Sequence, residues 1–325
     1  MTTFAAMTWN VENLFRPESG ASQADRQQYH RKLALLADPI NRLDPDVVAL
    51  QEVGGEEPLH DLQQALDGTY PHRAISAFPD GRKIRVAFLL KRAVDEQEDI
   101  ADFPPGPALD IHDLSVTGGS TPINRMGRGA LRIRVTKNGL TVDLITAHLK
   151  SKLLTFPRPG GSSFTPRDEE ERAQAAGIAL MRRMAEAVTL RVRVNSLLEG
   201  NNRTPLLLLG DFNDVPEAQT SLILNGLPGA RSVHRGSTGR IKAMTFASST
   251  LLPESLKIAG SLEWSAGAGN CSTRFSRLRS SFRSNKTTVG DSRRWIVTSA
   301  SKGSYSPWGM TPASGRGRSH PITHR

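Results

Sequence analysis

At 325 residues, 38% of them hydrophobic, the chain can bury one large core or two small ones, and no apolar run approaches the roughly 20 residues that a membrane-spanning helix needs. A single cysteine, Cys271, excludes an internal disulfide framework and a cysteine-based zinc site. The net charge of +10 invites a polyanionic partner, but residues 251–325 hold 12 Lys and Arg against 3 Asp and Glu, leaving 30 against 29 over residues 1–250. The body is nearly neutral, so the overall charge says little about what it acts on. Met1-Thr2-Thr3-Phe4 lacks the basic head and apolar core of a secretory signal, which makes a cytoplasmic protein the expectation.

In chain order, Phe4–Val11 reads as a strand ending in Asn10-Val11-Glu12-Asn13. Leu33, Leu36 and Ile40 recur at helical spacing and predict a helix over Asp25–Leu43, broken by Asp44-Pro45. Val47–Leu50 is a short buried strand ending in Gln51-Glu52, and Glu57–Leu66 reads as a helix. Strands are expected at Ile84–Lys91, Ala130–Thr136 and Thr141–Ala147, the last two joined by Asn138-Gly139, a strong hairpin signal. Phe156–Ser163 reads as a Pro/Gly/Ser loop. A long helix follows to about Leu198, with Thr165 as N-cap, Pro166 in the first turn and Asp168 to Glu171 complementing the helix dipole. Leu206-Leu207-Leu208-Leu209 is a buried strand that stops abruptly in Gly210-Asp211-Phe212-Asn213-Asp214. Strands mixed with helices, with antiparallel hairpins among them, define an α+β layered fold.

Beyond about Phe246 the texture changes to Ser, Arg and Gly with no sustained periodicity. Residues 1–246 are therefore read as the folded domain. Residues 247–325 are read as a basic tail, disordered or translated out of frame.

Polar residues terminate four of the strand-like runs: Asn10 with Asn13, Glu52, His148, and Asp211 with Asn213. Singly, each has a structural reading. Asn10 caps a turn, Glu52 caps the next helix, and His148 is a satisfied strand-end imidazole. Gathered at one end of a sheet, they suit phosphoester hydrolysis. Glu52 and Asn10 supply hard oxygen ligands for Mg²⁺, with Mn²⁺ the alternative ion. His148 stabilises charge on the phosphoryl oxygens, Asp211 orients the attacking water, and Asn213 bonds a phosphoryl oxygen.

The ordered set Thr8-Trp9-Asn10-Val11-Glu12-Asn13, Leu50-Gln51-Glu52-Val53, Thr146-Ala147-His148-Leu149-Lys150-Ser151 and Leu209-Gly210-Asp211-Phe212-Asn213-Asp214 resembles the endonuclease/exonuclease/phosphatase superfamily. The resemblance implies a four-layer α/β sandwich: two mixed β-sheets packed face to face, with helices outside. It implies a metal site at Asn10 and Glu52, phosphate contact by His148, and service of the nucleophilic water and the phosphate by Asp211 and Asn213. Arg128 stands where the family often has a phosphate-contacting arginine, although a solvated loop arginine reads equally well. Lys150 and Lys152 add positive potential at the mouth or are simply solvated. The implied substrate is DNA or a small phosphodiester, acted on by a monomer with no membrane span. The second reading is a non-catalytic nucleic-acid- or phosphate-binding protein that uses its basic tail.

The resemblance breaks at the C-terminal end. The family closes with an Asp-bearing strand and a Ser-Asp-His triplet; here the nearest text is Arg318-Ser319-His320-Pro321. The lost motif, the changed texture and the surplus charge begin together, which a reading-frame shift after about residue 246 explains. Read two nucleotides along, codons for Asn270 to Phe275 are compatible with Leu-Leu-Asp-Gln-Ile, and those for Pro307 to Pro312 permit Leu-Gly-Asp-Asp-Pro. By this resemblance residues 1–246 are a C-terminally incomplete catalytic domain, so the centre is expected to be incomplete, the enzyme impaired and its sheet edges uncovered.

Overall fold

A computed structural model of the chain describes backbone and side chains for residues 4–106, 109–114, 121–199 and 204–226, and backbone alone for residues 2–3, 243–246, 261–267, 270–274 and 296–298. In chain order the elements are β1 (Thr2–Leu14), α1 (Gln23–Leu43), β2 (Val47–Val53), α2 (Glu56–Gln64), β3 (His72–Ile75), β4 (Arg85–Leu90), β5 (Glu96–Asp102), β6 (Ile111–Asp113), β7 (Thr121–Ile123), β8 (Arg125–Lys137) and β9 (Leu140–His148). They continue with β10 (Phe156–Arg158), β11 (Gly161–Ser163), α3 (Glu169–Leu198), β12 (Leu206–Asp211), α4 (Gln219–Asn225), β13 (Ala243–Phe246), β14 (Ser261–Gly267), β15 (Asn270–Arg274) and β16 (Ile296–Thr298).

Two mixed sheets result, in the orders β15-β14-β1-β2-β4-β3 and β16-β13-β12-β9-β8-β5. In the first, β1 and β2 run parallel and β2 and β4 antiparallel; in the second, β9 and β12 run parallel and β8 and β9 antiparallel. Alternation along the strands sorts their side chains into separate layers. Phe4, Ala6, Val47, Ala49, Val86 and Phe88 of the first sheet pack on Leu131, Ile133, Val142, Leu144, Leu207 and Leu209 of the second. The intervening residues Met7, Trp9, Val48 and Leu50 turn outward against Leu33, Leu36 and Ile40 of α1 and Leu59 and Leu62 of α2. On the other side Ile145, Leu206 and Leu208 meet Leu190, Val194 and Leu198 of α3 and Leu224 of α4. The order is helix, sheet, sheet, helix, as the resemblance implies. β12 carries no polar alternation because it is covered on both faces.

Local capping sets both ends of the first helix. Ser22 accepts a hydrogen bond from the Asp25 amide, and the Asp25 carboxylate accepts from the Ser22 amide, a capping box that starts α1; Asp44, at φ 45°, closes it. Two expectations are corrected. The N-cap of α3 is Asp168, not Thr165, because its carboxylate accepts from the Glu171 amide at 2.8 Å. Phe156–Ser163 is not a loop but the hairpin β10–β11, whose strands are too short to show a period. The charged run Glu96-Gln97-Glu98-Asp99 is the start of edge strand β5. Arg132, buried in β8, reaches Glu96 at 2.9 Å and Asp143 at 2.6 Å, so the charges pair along the sheet.

The reading of residues 247–325 as a tail falls largely outside the described residues. Within it, β14 pairs antiparallel with β1 and parallel β16 pairs with β13, so at the backbone level β1 and β13 each have a neighbour there.

Gly210 closes β12 at φ 146°, and a Cβ built on it would lie 1.9 Å from the backbone oxygen of Ala147 in β9. Backbone cannot yield as a flexible side chain does. Gly210→Ala is expected to destabilise the fold by roughly 3 kcal/mol, the upper end of overpacking costs. Urea denaturation reads this, and an unchanged midpoint would show that β12 does not press on β9 here.

Candidate active site

The strands deliver the candidate residues by parity. Thr8 and Asn10 continue the inward series of Phe4 and Ala6, Gln51 continues Val47 and Ala49, Thr146 and His148 continue Val142 and Leu144, and Asp211 continues Leu207 and Leu209. Moving up between the sheets, the apolar layer gives way to a hydrogen-bonded layer in which Gln51 Nε2 donates to Thr8 Oγ1 at 3.1 Å and to Thr146 Oγ1 at 3.0 Å. Above it lies the polar cluster.

Glu52 breaks parity. It belongs with Val48 and Leu50 and should face the helices, but the pairing of β2 with β4 shifts register between Gln51 and Val53, and Glu52 sits at φ 66°. This irregularity re-aims the carboxylate into the space between the sheets. Glu12 (φ 52°), Asn13 (φ 53°) and Asn213 (φ 51°) are also left-handed, so positive φ gathers at three of the converging strand ends. For a glutamate that conformation costs about 1–2 kcal/mol, strain of the kind that concentrates at functional sites.

Asn10 joins the two acids: its Nδ2 donates to Glu52 Oε1 at 3.2 Å and to Asp211 Oδ2 at 3.0 Å. Its Oδ1 accepts from the Glu12 amide at 3.0 Å, and Glu52 Oε2 accepts from the Asn13 amide at 2.9 Å. His148 Nε2 stands 4.0 Å from Glu52 Oε1 and 3.9 Å from Asp211 Oδ2, too far for hydrogen bonds. Its Nδ1 is buried with no hydrogen-bond partner among the described residues. Burial, reinforced by the charges of Arg128 and Arg82, holds His148 well below the usual imidazole value, so the ring is neutral. Burial pushes the Asp211 carboxyl up. Hydrogen bonds from Asn10 and the Asn213 amide oppose this, while the nearby Glu52 adds to it.

Asn10, Glu52, His148 and Asp211 are thus brought together. The other expected residues brace them. Asn213 donates its backbone N–H to Asp211 Oδ1 at 3.0 Å, and its side-chain amide donates to Leu149 O at 2.9 Å instead of facing the cluster. Arg128 donates to Asp80 Oδ2 at 3.1 Å and to the carbonyls of Leu149 at 3.3 Å and His148 at 3.5 Å. It lies beneath the end of β9 and is not a solvated loop arginine. Lys150, expected at the phosphate, donates its ammonium to Ser151 O and Leu153 O, at 3.1 and 2.9 Å. Lys152 pairs with Asp214 at 3.0 Å. Both lysines are committed to their own surroundings because nearby acceptors satisfy them.

Sequence reasoning missed Glu186 and Arg183, which reach these loops from α3. Their signal was two charged residues on the stripe of Ala179, Ala187 and Leu190 that the helix buries. Among the described residues no group of three or more His, Cys, Asp and Glu side chains is arranged to hold a metal ion. The donors nevertheless suit a hard cation: two carboxylates share one amide donor, face a neutral ring, and include an Asp211 whose charge burial disfavours.

The sequence profile of the Endonuclease/Exonuclease/phosphatase family matches residues 7–285, a span that continues past the boundary drawn at residue 246. The chain belongs to this family, whose members are generally phosphoester hydrolases. No curated protein matches it in sequence. Among solved structures it is similar to a truncated Caenorhabditis elegans TDP2, with 19% identity, a TM-score of 0.41, and coverage of 66% of this chain and 64% of that one. It therefore spans a little under two thirds of that relative. Sphingomyelinase C from Streptomyces griseocarneus is similar at 17% identity and a TM-score of 0.45, over 70% of this chain and 72% of that chain. D. rerio TDP2 complexed with a single-strand DNA product is similar at 19% identity and a TM-score of 0.40, over 70% and 67%. No helix among the described residues is long and apolar enough to cross a membrane.

Burial, together with the charges of Arg182 and Arg128, lowers the Lys150 amine from 10.5 to about 8. The unfolded amine keeps its proton up to about 10.4, so between those values the unfolded chain binds more protons and this group's contribution to stability rises with pH. A ¹³C-lysine titration is expected to place the Lys150 midpoint near 8; a midpoint at the unfolded value would show a solvated amine.

Proposed function

We propose that this chain hydrolyses phosphodiesters by attack of water, with a divalent cation, Mg²⁺ or Mn²⁺, as cofactor. What supports this most is the meeting of Glu52, Asp211, Asn10 and His148 at one mouth between the sheets. Glu52 and Asn10 would hold the ion, Asn10 through the second lone pair of its Oδ1, and the bound ion would neutralise a phosphoryl oxygen. Asp211, fixed by Asn10 and the Asn213 amide, orients the water and is the acceptor nearest at hand for its proton. Neutral His148 donates a hydrogen bond to the phosphoryl group without adding a full charge. Arg128 sends positive potential toward the same mouth from below.

None of the eight histidines follows an aspartate, so the Asp-His pair that the family resemblance calls for is absent from this sequence. Turnover is therefore expected to be weak, well under the roughly 10 s⁻¹ typical of enzymes. A panel of a bis-aryl phosphodiester, plasmid DNA and an abasic-site duplex, with and without Mg²⁺, measures it. Glu52→Ala and Asp211→Ala should each remove about 10²-fold or more of the rate while the unfolding midpoint holds. Undiminished turnover in both variants would sink the reading.

The 12-to-3 charge excess of residues 251–325 favours one alternative, a binding protein that grips nucleic acid without cleaving it. Its mark is salt-sensitive DNA affinity that Glu52→Ala leaves intact, with no turnover on any of the three substrates.

A further inference from the structure

The turn after β9 is tied at every backbone group that leads away from His148. Leu149 N–H donates to Asp211 O at 3.0 Å. The carbonyl of His148 accepts from Arg128, and that of Leu149 accepts from both Arg128 and Asn213. Lys150 N–H donates to Glu186 Oε2 at 2.5 Å, and Lys150 O accepts from Arg183 Nη1 at 3.1 Å. Arg183 also donates to Asp214 Oδ2 at 3.3 Å, reaching the turn after β12. The other oxygen of Glu186, Oε1, accepts from the N–H of Gly127 at 3.0 Å, the residue before Arg128.

Glu186 is 2% exposed, one turn beyond Arg183 on the buried face of α3. A carboxyl group, whose charge burial disfavours, is a costly way to fill a helix face that packs beside Ala187 and Leu190, where leucine would serve as well for burial alone. What leucine lacks is two acceptor oxygens set apart to grip two separate strands. We propose that Glu186 is a positioning residue of the hydrolytic centre. Its single carboxylate locks the turn after His148 to the segment that carries Arg128, and Arg183 extends the lock to the turn that carries Asp211 and Asn213. This rests on the hydrolytic reading for its kinetic consequence but not for the lock itself.

The full chain tests it as Glu186→Leu, Glu186→Gln and wild type. Leucine fills the volume and removes both acceptors; glutamine keeps one acceptor and turns an NH₂ toward the other N–H. Amide hydrogen exchange at Gly127 and Lys150 and the His148 ring resonances are read first, with the thermal midpoint as control. In Glu186→Leu both amides should lose protection together and the ring resonances should shift; the two N–H groups left unpaired lower the midpoint somewhat, while amides of β8 and β9 away from the turn keep their protection. On the bis-aryl phosphodiester with Mg²⁺, a centre displaced by about 1 Å loses on the order of 10²-fold in rate. The loss should fall in kcat more than in KM, with Glu186→Gln between wild type and Glu186→Leu. Protection and ring resonances that stay at wild-type values in Glu186→Leu would overturn the proposal, as would full kcat in that variant. A wild type that hydrolyses none of the substrates would instead overturn the hydrolytic reading, and the exchange and ring measurements would still decide the lock.

Discussion

The face-to-face packing of the two sheets is the constraint on which the rest depends. Phe4, Ala6, Val47 and Ala49 on one side and Leu144, Leu207 and Leu209 on the other exclude water from the space between. Burial of this kind stabilises by about 25 cal/mol per Å² of apolar surface, and it also fixes which strand ends share a mouth. β1 and β2 run parallel, as do β9 and β12. Each pair therefore sends both its C-terminal ends the same way, and the packing of the pairs brings Asn10, Glu52, His148 and Asp211 together.

The same packing grades the polarity of that space. Above the aliphatic layer, Gln51 bridges Thr8 and Thr146, so every inward position there finds a partner inside the protein. One step further, two carboxylates meet a neutral histidine with only Asn10 between the acids. The low dielectric that keeps His148 neutral is what raises Asp211. Paired carboxylates in a buried mouth are the electrostatic condition that favours a bound cation, which in turn offsets their repulsion of an anionic phosphoryl group. α3 completes the arrangement from outside, since Arg183 and Glu186 hold the backbone of the turns and leave the side chains of the mouth free to face inward.

Much of this was legible because several local signals agreed. The leucines of β12, the Asn138-Gly139 turn and the helical spacing of Leu33, Leu36 and Ile40 each specify their element through short-range physics. The four site motifs were legible because each ends a strand-like run in residues that rarely belong in a core. Edge strand β5 and hairpin β10–β11 were not, since charge and brevity hide the two-residue period. Nor were the partners of Lys150 and Asn213. Those side chains look ready for substrate in the sequence, and only neighbouring carbonyls reveal that they are spent on the turn.

The sequence by itself determined the longer strands and helices, the placing of Asn10, Glu52, His148 and Asp211 at strand ends, and the family to which the chain belongs. These follow from residue spacing and local propensity, which act over a few positions. Tertiary structure decided what each group does. The register shift that re-aims Glu52, the burial that neutralises His148, the brace that Arg128 forms and the grip of Glu186 on two loops all join residues tens of positions apart in the chain. No local pattern encodes such pairings, because the partners meet only once the sheets have packed.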